Sequence, residues 1–140
     1  MNDAMICDGF QYLASLPVVW RTALNHRHIF IDPNPSAAKS FEERKRLFQS
    51  GGGWEKYSRA QISQGGGVYE RSAKSIEITP EVKAWLDIEA DSLPPNELIR
   101  ELLKADVELI YNGGIGTYIK AASESHADVC DKANDEVRAH

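Results

Sequence analysis

Residues 95–117 read PNELIRELLKADVELIYNGGIGT, and the reading of this stretch decides the fold. Leu98, Ile99, Leu102 and Leu103 recur at helical spacing behind Pro94 and Pro95. One of those prolines suits the first helical position, so the stripe predicts an amphipathic helix ending near Lys104. VELIY, residues 107–111, is a compact apolar run suited to a buried parallel strand. Asn112-Gly113-Gly114-Ile115-Gly116-Thr117 then breaks the run with three glycines in four residues. Helix, short loop, buried strand and glycine turn in succession are the grammar of an α/β layer.

The flanking sequence fits the same class. HRHIFID, residues 26–32, reads as a short strand ended by Asp32-Pro33. Asn34 is a good N-cap and Pro35 a good first helical residue, so a helix is expected from there to the Gly51-Gly52-Gly53 run. Phe41, Leu47 and Phe48 are its candidate core contacts, and Glu42, Glu43, Lys45 and Arg46 its exposed ion-paired face. Residues 54–67 read as loop with one helical turn, and Val68, Ile76 and Ile78 mark short extended pieces. Thr79-Pro80-Glu81 starts a further helix with Val82, Trp85 and Leu86 on one face. The polar tail carries a candidate helix over 128–138, from Val129, Ala133 and Val137. Residues 1–24 show only weak periodicity and stay unassigned.

Bulk properties exclude several classes. The 140 residues suffice for one modest core, and 42% apolar with 26% charged residues is ordinary for a globular protein. A net charge of −5 gives no electrostatic footprint for nucleic acid. No apolar run approaches the roughly 18 residues that span a bilayer. The start has no basic region and contains two aspartates, unlike a signal peptide. Cys7 and Cys130 lie at opposite ends and outside any CxxC pair, which reads as two free thiols in a reducing cytoplasm.

Ligands of open α/β sheets bind beyond the carboxyl ends of the strands. NGGIGT lies at such an end, where glycine lets backbone N–H groups approach a ligand. The residues alone leave two readings open: a strand-end turn needing positive φ, or a ligand-facing loop. The motif is neither GxGxxG nor GxxxxGK[ST]. Asp32, at the end of the other candidate strand, has the chemistry to accept hydrogen bonds from a ribose, and Asn25 is its alternative if that strand ends earlier. Arg71 and Lys74 follow a glycine run but suit exposed loop cations. His26 and His28 lack a third ligand, and His126, Asp128, Cys130 and Asp131 match no standard metal spacing. No nucleophile–base pair appears, so no catalytic residue and no metal site are assigned.

The motifs HRHIFIDPNP, SFEERKRLF, GGGVYERSAKSI, PNELIRELLKA and VELIYNGGIGTYIKAASESHADVCDKANDEVR resemble, in order, the large bacterial NAD-specific glutamate dehydrogenases. The resemblance covers about residues 25–138. It implies a fragment of an NAD-binding catalytic domain over 25–140, preceded by a divergent segment over 1–24. The implied fold is α/β, a partial Rossmann-like dinucleotide-binding domain with an incomplete sheet. The implied reaction is oxidative deamination of L-glutamate to 2-oxoglutarate and ammonia with NAD, in a cytoplasmic homo-oligomer that needs neither membrane nor nucleic acid. Carried to this chain, the resemblance makes Asn112, Gly113, Gly114, Gly116 and Thr117 a wall of the cofactor cleft, with Asn112 and Thr117 in side-chain contact. Asn25 or Asp32 falls near the adenosine ribose.

Departures from the family pattern set further expectations. The glycine-rich dinucleotide turn expected before HRHIF has no match in residues 1–24. The segments that carry the family's catalytic lysine and aspartate have none either. The family usually has Gly at the position of Cys130. A layer without its first strand and helix is expected to be marginal alone and to expose an apolar edge. Two functions follow: a dehydrogenase fragment inactive by itself, or a standalone non-catalytic module that binds a nucleotide or pairs with a subunit. In the second, residues 13–20 would supply a substitute strand.

Overall fold

A computed structural model describes residues 3–7, 19–114 and 116–140 of the chain, the first of these as backbone alone. In chain order the strands are β1 (Asp3–Cys7), β2 (Val19–Leu24), β3 (His28–Ile31), β4 (Gly67–Glu70), β5 (Ile76–Glu77), β6 (Ser92–Leu93) and β7 (Leu109–Asn112). The helices are α1 (Ala37–Ser50), α2 (Pro80–Leu86), α3 (Pro95–Leu103) and α4 (His126–Val129). The main sheet has the order β4-β3-β2-β1-β7, and β5 pairs with β6 in a separate ribbon. β1 is parallel to both β2 and β7, whereas β3 is antiparallel to β2 and to β4. The class is mixed α/β.

The path of the chain matters for function. It starts in β1, moves outward through β2, β3 and β4, then returns to the other side of β1 as β7. The strand order therefore reverses between β1 and β7. The expected lack of a first strand is corrected, because residues 3–7 and 19–24 supply two central parallel strands. Of the proposed substitute strand, Val19 and Trp20 open β2 and residues 13–18 lie outside the described residues.

Two different layers cover the two faces. On one, Leu24, Ile29 and Ile31 of the sheet pack against Leu98, Ile99 and Leu102 of α3. Burying each such side chain is worth about 2 kcal/mol, and this stripe is the one its spacing predicts. On the other face, Ala23 and Phe30 meet Trp20, Trp54, Tyr57 and Leu47 of α1. Trp20 and Ala23 share that face although three positions apart, because the pairing with β1 skips Arg21. One extra residue in a strand shifts the alternation of all that follow.

α1 departs from expectation. It begins after Ser36, without a side-chain cap, and ends at Gly51 as the sequence indicates. Its buried residues are Ser40, Glu43, Arg44 and Leu47, while Phe48 is 56% exposed. The polar side is inward because the aromatic layer can use it. The Arg44 guanidinium lies 4.5 Å over the Trp20 ring and donates to Ser40 Oγ at 2.6 Å. Burial pushes its pKa down to about 10. Glu43 accepts from Arg46 Nε at 2.9 Å and from the Ser58 amide at 2.7 Å. α2 begins as read, with Thr79 Oγ1 accepting from the Val82 amide at 3.4 Å.

β7 is parallel as expected but runs 109–112, and it is an edge strand. Leu109 is 39% and Ile110 40% exposed, so it is not a buried strand. The tail is not one helix over 128–138. α4 stops at Val129 because Cys130 takes the left-handed conformation, φ 58° and ψ 30°, and a 3-10 turn over Lys132–Asn134 follows.

Candidate functional site

β1, β2 and β7 finish at the same edge of the sheet, where Cys7 lies opposite both Leu24 and Asn112. Asn25 and the glycine turn therefore flank the end of β1, two strand spacings apart, about 10 Å. This is the edge where the strand order reverses.

At the β7 end, Asn112 closes the turn on itself. Its Nδ2 donates to the Gly116 carbonyl at 3.0 Å, and its Oδ1 accepts from the Gly114 amide at 3.3 Å. Gly113 and Gly114 are exposed, and Ile115 lies outside the described residues. Gly116 has φ +122°, a conformation that L side chains rarely adopt, and a Cβ on it would stand 2.8 Å from Asn134 Nδ2. A cavity of about 240 Å³ adjoins the turn, lined by Leu103, Ile110, Asn112, Gly116, Thr117, Tyr118 and Ile119. Ligand sites for drug-sized molecules run to roughly 300–1,000 Å³. This cavity has room for one ring of a dinucleotide rather than all of it.

The polar tail supports the turn. The Thr117 amide donates to Asp131 Oδ2 at 2.8 Å, and the Thr117 carbonyl accepts from Arg138 Nε at 2.8 Å. Arg138 is 2% exposed. Its Nη2 donates to the Asp131 carbonyl at 2.6 Å, and its Nη1 to Asp135 Oδ1 at 2.5 Å with His126 Nδ1 at 2.7 Å. The Thr117 and Asn134 donors, with Arg138 nearby, hold the Asp131 carboxyl below its usual range. Ser125 and Asp128 form a reciprocal cap at the start of α4. That cap is legible as S-x-x-D. Arg138, within a polar run, gives no such signal.

Asn25 shapes the hairpin between β2 and β3. Its Oδ1 accepts from the Arg27 and His28 amides at 2.8 and 2.7 Å, and its carbonyl accepts from Arg71 Nη1 at 2.9 Å. A cleft of about 200 Å³ lies beside it, between residues 26–28 and Glu70 and Ser72.

Asp32 is corrected. β3 runs antiparallel, so its end lies at the opposite edge of the sheet, where the Asp32 amide donates to the Arg21 carbonyl at 2.7 Å. The side chain is 1% exposed, and its Oδ1 accepts from the Ser63 amide at 3.2 Å and from the Ser63 hydroxyl. Burial raises its pKa, partly offset by those bonds. It is a loop clasp at the edge of the sheet opposite the glycine turn, and not a second-strand carboxylate. Among the described residues no group of three or more His, Cys, Asp or Glu side chains is placed to hold a metal ion. Among them, too, no helix is long and apolar enough to cross a membrane.

A family model, described as the catalytic domain of bacterial NAD-glutamate dehydrogenase, matches residues 4–140. The match begins inside the segment read from sequence as divergent. A protein of Pseudomonas aeruginosa named NAD-specific glutamate dehydrogenase is 62% identical over 138 residues, 98% of this chain. Proteins of the same name from Halomonas elongata and Mycobacterium tuberculosis are 56% and 54% identical, each over 83% of this chain. The chain spans only 7–8% of the length of these relatives.

Proposed function

The chain belongs to the bacterial NAD-glutamate dehydrogenase catalytic-domain family, and we propose that within such an enzyme it forms the nicotinamide-side wall of the cofactor cleft. The observation that carries this reading is the strand order. In open α/β sheets a ligand sits outside the carboxyl ends of the strands, where the order reverses. Here that place is the β1/β7 boundary, and the exposed Gly113-Gly114 backbone stands on it. The sheet is thus the nucleotide-binding layer of a Rossmann-like domain, with β3 and β4 as an antiparallel extension.

The residues fit one half of the cofactor. The cavity beside Asn112 and Thr117 suits a single ring, while nothing among the described residues cradles a pyrophosphate. NAD, when bound, supplies the hydride acceptor for oxidation of L-glutamate to 2-oxoglutarate and ammonia. Gly113 and Gly114 allow close approach, Asn112 fixes the turn, and Leu103 and Ile110 offer the ring an apolar face. Asn25 lies on the far side of β1, toward the adenosine. No residue of this chain is given a catalytic role, and the 140 residues alone are inactive. The intact enzyme is a cytoplasmic homo-oligomer.

NADH binding by the purified chain, followed by the fluorescence of the nucleotide, tests this. Saturable binding that Gly113→Val weakens at least about tenfold, and Asp32→Asn leaves unchanged, is the expected result. No saturable binding, or equal loss in both variants, contradicts it. Tryptophan emission is a poor reporter, since Trp20 pairs with Ala4 at the other end of β1 and the Trp54 ring lies tilted beside it at 5.6 Å.

A second reading, a non-catalytic module that pairs with a larger subunit, draws on the exposed Leu109 and Ile110 of the edge strand. It expects co-sedimentation with a full-length glutamate dehydrogenase in the absence of nucleotide.

A further inference from the structure

We infer that Asp131 and Arg138 are positioning residues, which hold the amide and the carbonyl of Thr117 and so keep Gly113, Gly114 and Gly116 of the turn in the form that receives the nicotinamide. The inference rests on the cofactor-wall reading and adds to it the device that keeps the wall in shape.

A turn rich in glycine does not hold itself. Fixing each backbone residue costs conformational entropy, and glycine loses the most freedom of any residue. Within the turn the described constraints are the two Asn112 side-chain bonds. Both close the Asn112–Gly116 span and neither ties it to the rest of the molecule. The tie is Thr117, whose amide and carbonyl are both engaged, by Asp131 Oδ2 and by Arg138 Nε. Hydrogen bonds with a charged partner are the stronger kind.

The two clamping groups are themselves fixed. Arg138 Nη2 donates to the Asp131 carbonyl, so one guanidinium sets both the Thr117 carbonyl and the backbone that carries the Asp131 carboxylate. Asp135 and His126 engage its third nitrogen. Val137 and Ala139, on either side of Arg138, are buried in the aliphatic layer with Leu98 and Leu102 of α3. The Ala139 amide donates to the Tyr118 carbonyl at 2.9 Å, and the Lys120 amide to the Ala139 carbonyl at 3.0 Å. The clamp thus refers the turn to the core instead of to a loose tail. A lysine keeps the charge and the stem of Arg138 but cannot address three separate acceptors in one plane.

Arg138→Lys, Asp131→Asn and Asp131→Ala, with wild type, make the test, read by residue-resolved amide exchange and by NADH affinity on the same samples. The expected result in Arg138→Lys is Thr117 amide exchange about tenfold faster and NADH binding about tenfold weaker. Exchange at Ile29 and Leu98 stays at the wild-type rate. Asp131→Asn, which retains a carbonyl acceptor, falls between wild type and Asp131→Ala. Unchanged Thr117 exchange in Arg138→Lys overturns the inference, as does an equal rise at Ile29 and Leu98, which marks a merely structural role. If wild type shows no NADH binding, the cofactor-wall reading fails, and the inference fails with it as a statement about the nicotinamide. The exchange data then decide separately whether the clamp exists.

Discussion

The two ends of the five-stranded sheet use the same kind of sequence signal differently. At one, Asp32 follows an apolar strand and precedes a proline. At the other, Asn112 ends an apolar strand and precedes two glycines. Asp32 is buried and clasps the Ser63 loop, and Gly66 packs there against the end of β3. Asn112 is exposed, its turn opens on a cavity, and the support comes from a segment at the far end of the chain. Strand direction separates the two. β3 runs against β2 and β1, so its carboxyl end meets their amino ends. A polar residue at a strand end is a ligand candidate only when that strand shares the direction of its neighbours at the crossover.

The largest expected effect breaks the comparison at the buried end. A Cβ at Gly66 would fall against the Ile31 carbonyl oxygen, 2.7 Å from Ile62 Cγ2 and 2.9 Å from Pro33 Cδ. Gly66→Ala is expected to cost about 3 kcal/mol of unfolding free energy. Gly113→Ala, on the exposed end, is expected to cost less than about 1 kcal/mol. Denaturant midpoints of the two variants check this, and equal losses would erase the distinction.

A smaller effect sharpens the open end. Cys130 is held at φ 58°, where an L side chain is disfavoured by about 1–2 kcal/mol and glycine is not. Cys130→Gly is expected to stabilise the chain by about 0.5–1 kcal/mol after the added freedom of the unfolded chain is subtracted. A lower thermal midpoint in the variant would contradict it.

The smallest effect is in pH. Burial raises the folded pKa of Asp32 above its ordinary 3.8. The native state then holds this proton more tightly than the unfolded chain does. Its contribution to stability is therefore fully present below 3.8 and is lost as pH rises through the raised folded value. The stability of wild type minus that of Asp32→Asn should fall across that window and level off above it. A difference that grows with pH has the wrong sign for a desolvated carboxyl.

Much of this was legible in sequence, for definite reasons. The α3 stripe is apolar, periodic and buried as its spacing says, and Thr79-Pro80 starts α2 because cap and proline act locally. The glycine turn was found because glycine marks backbone that a side chain cannot follow. The burial of Ser40, Glu43 and Arg44 was not legible. Their inward position depends on Trp20, from a separate strand, offering Arg44 a ring face. The direction of β3 was not legible either, since a strand's own residues do not record which way its neighbour runs. Arg138 gives no signal in sequence because its acceptors include a carbonyl at Thr117, a carbonyl at Asp131 and a carboxylate at Asp135, which only folding gathers. The family resemblance carried what periodicity could not reach.

The most direct measurement is a residue-resolved NMR map of the chain titrated with NADH. The expected result is a set of shifts at residues 112–117 and at Asn25, with Asp32, Ser63 and Gly66 unmoved. Shifts centred on Asp32 and Ser63, or none at the glycine turn, would contradict the assignment of the cofactor to the edge where β1, β2 and β7 end.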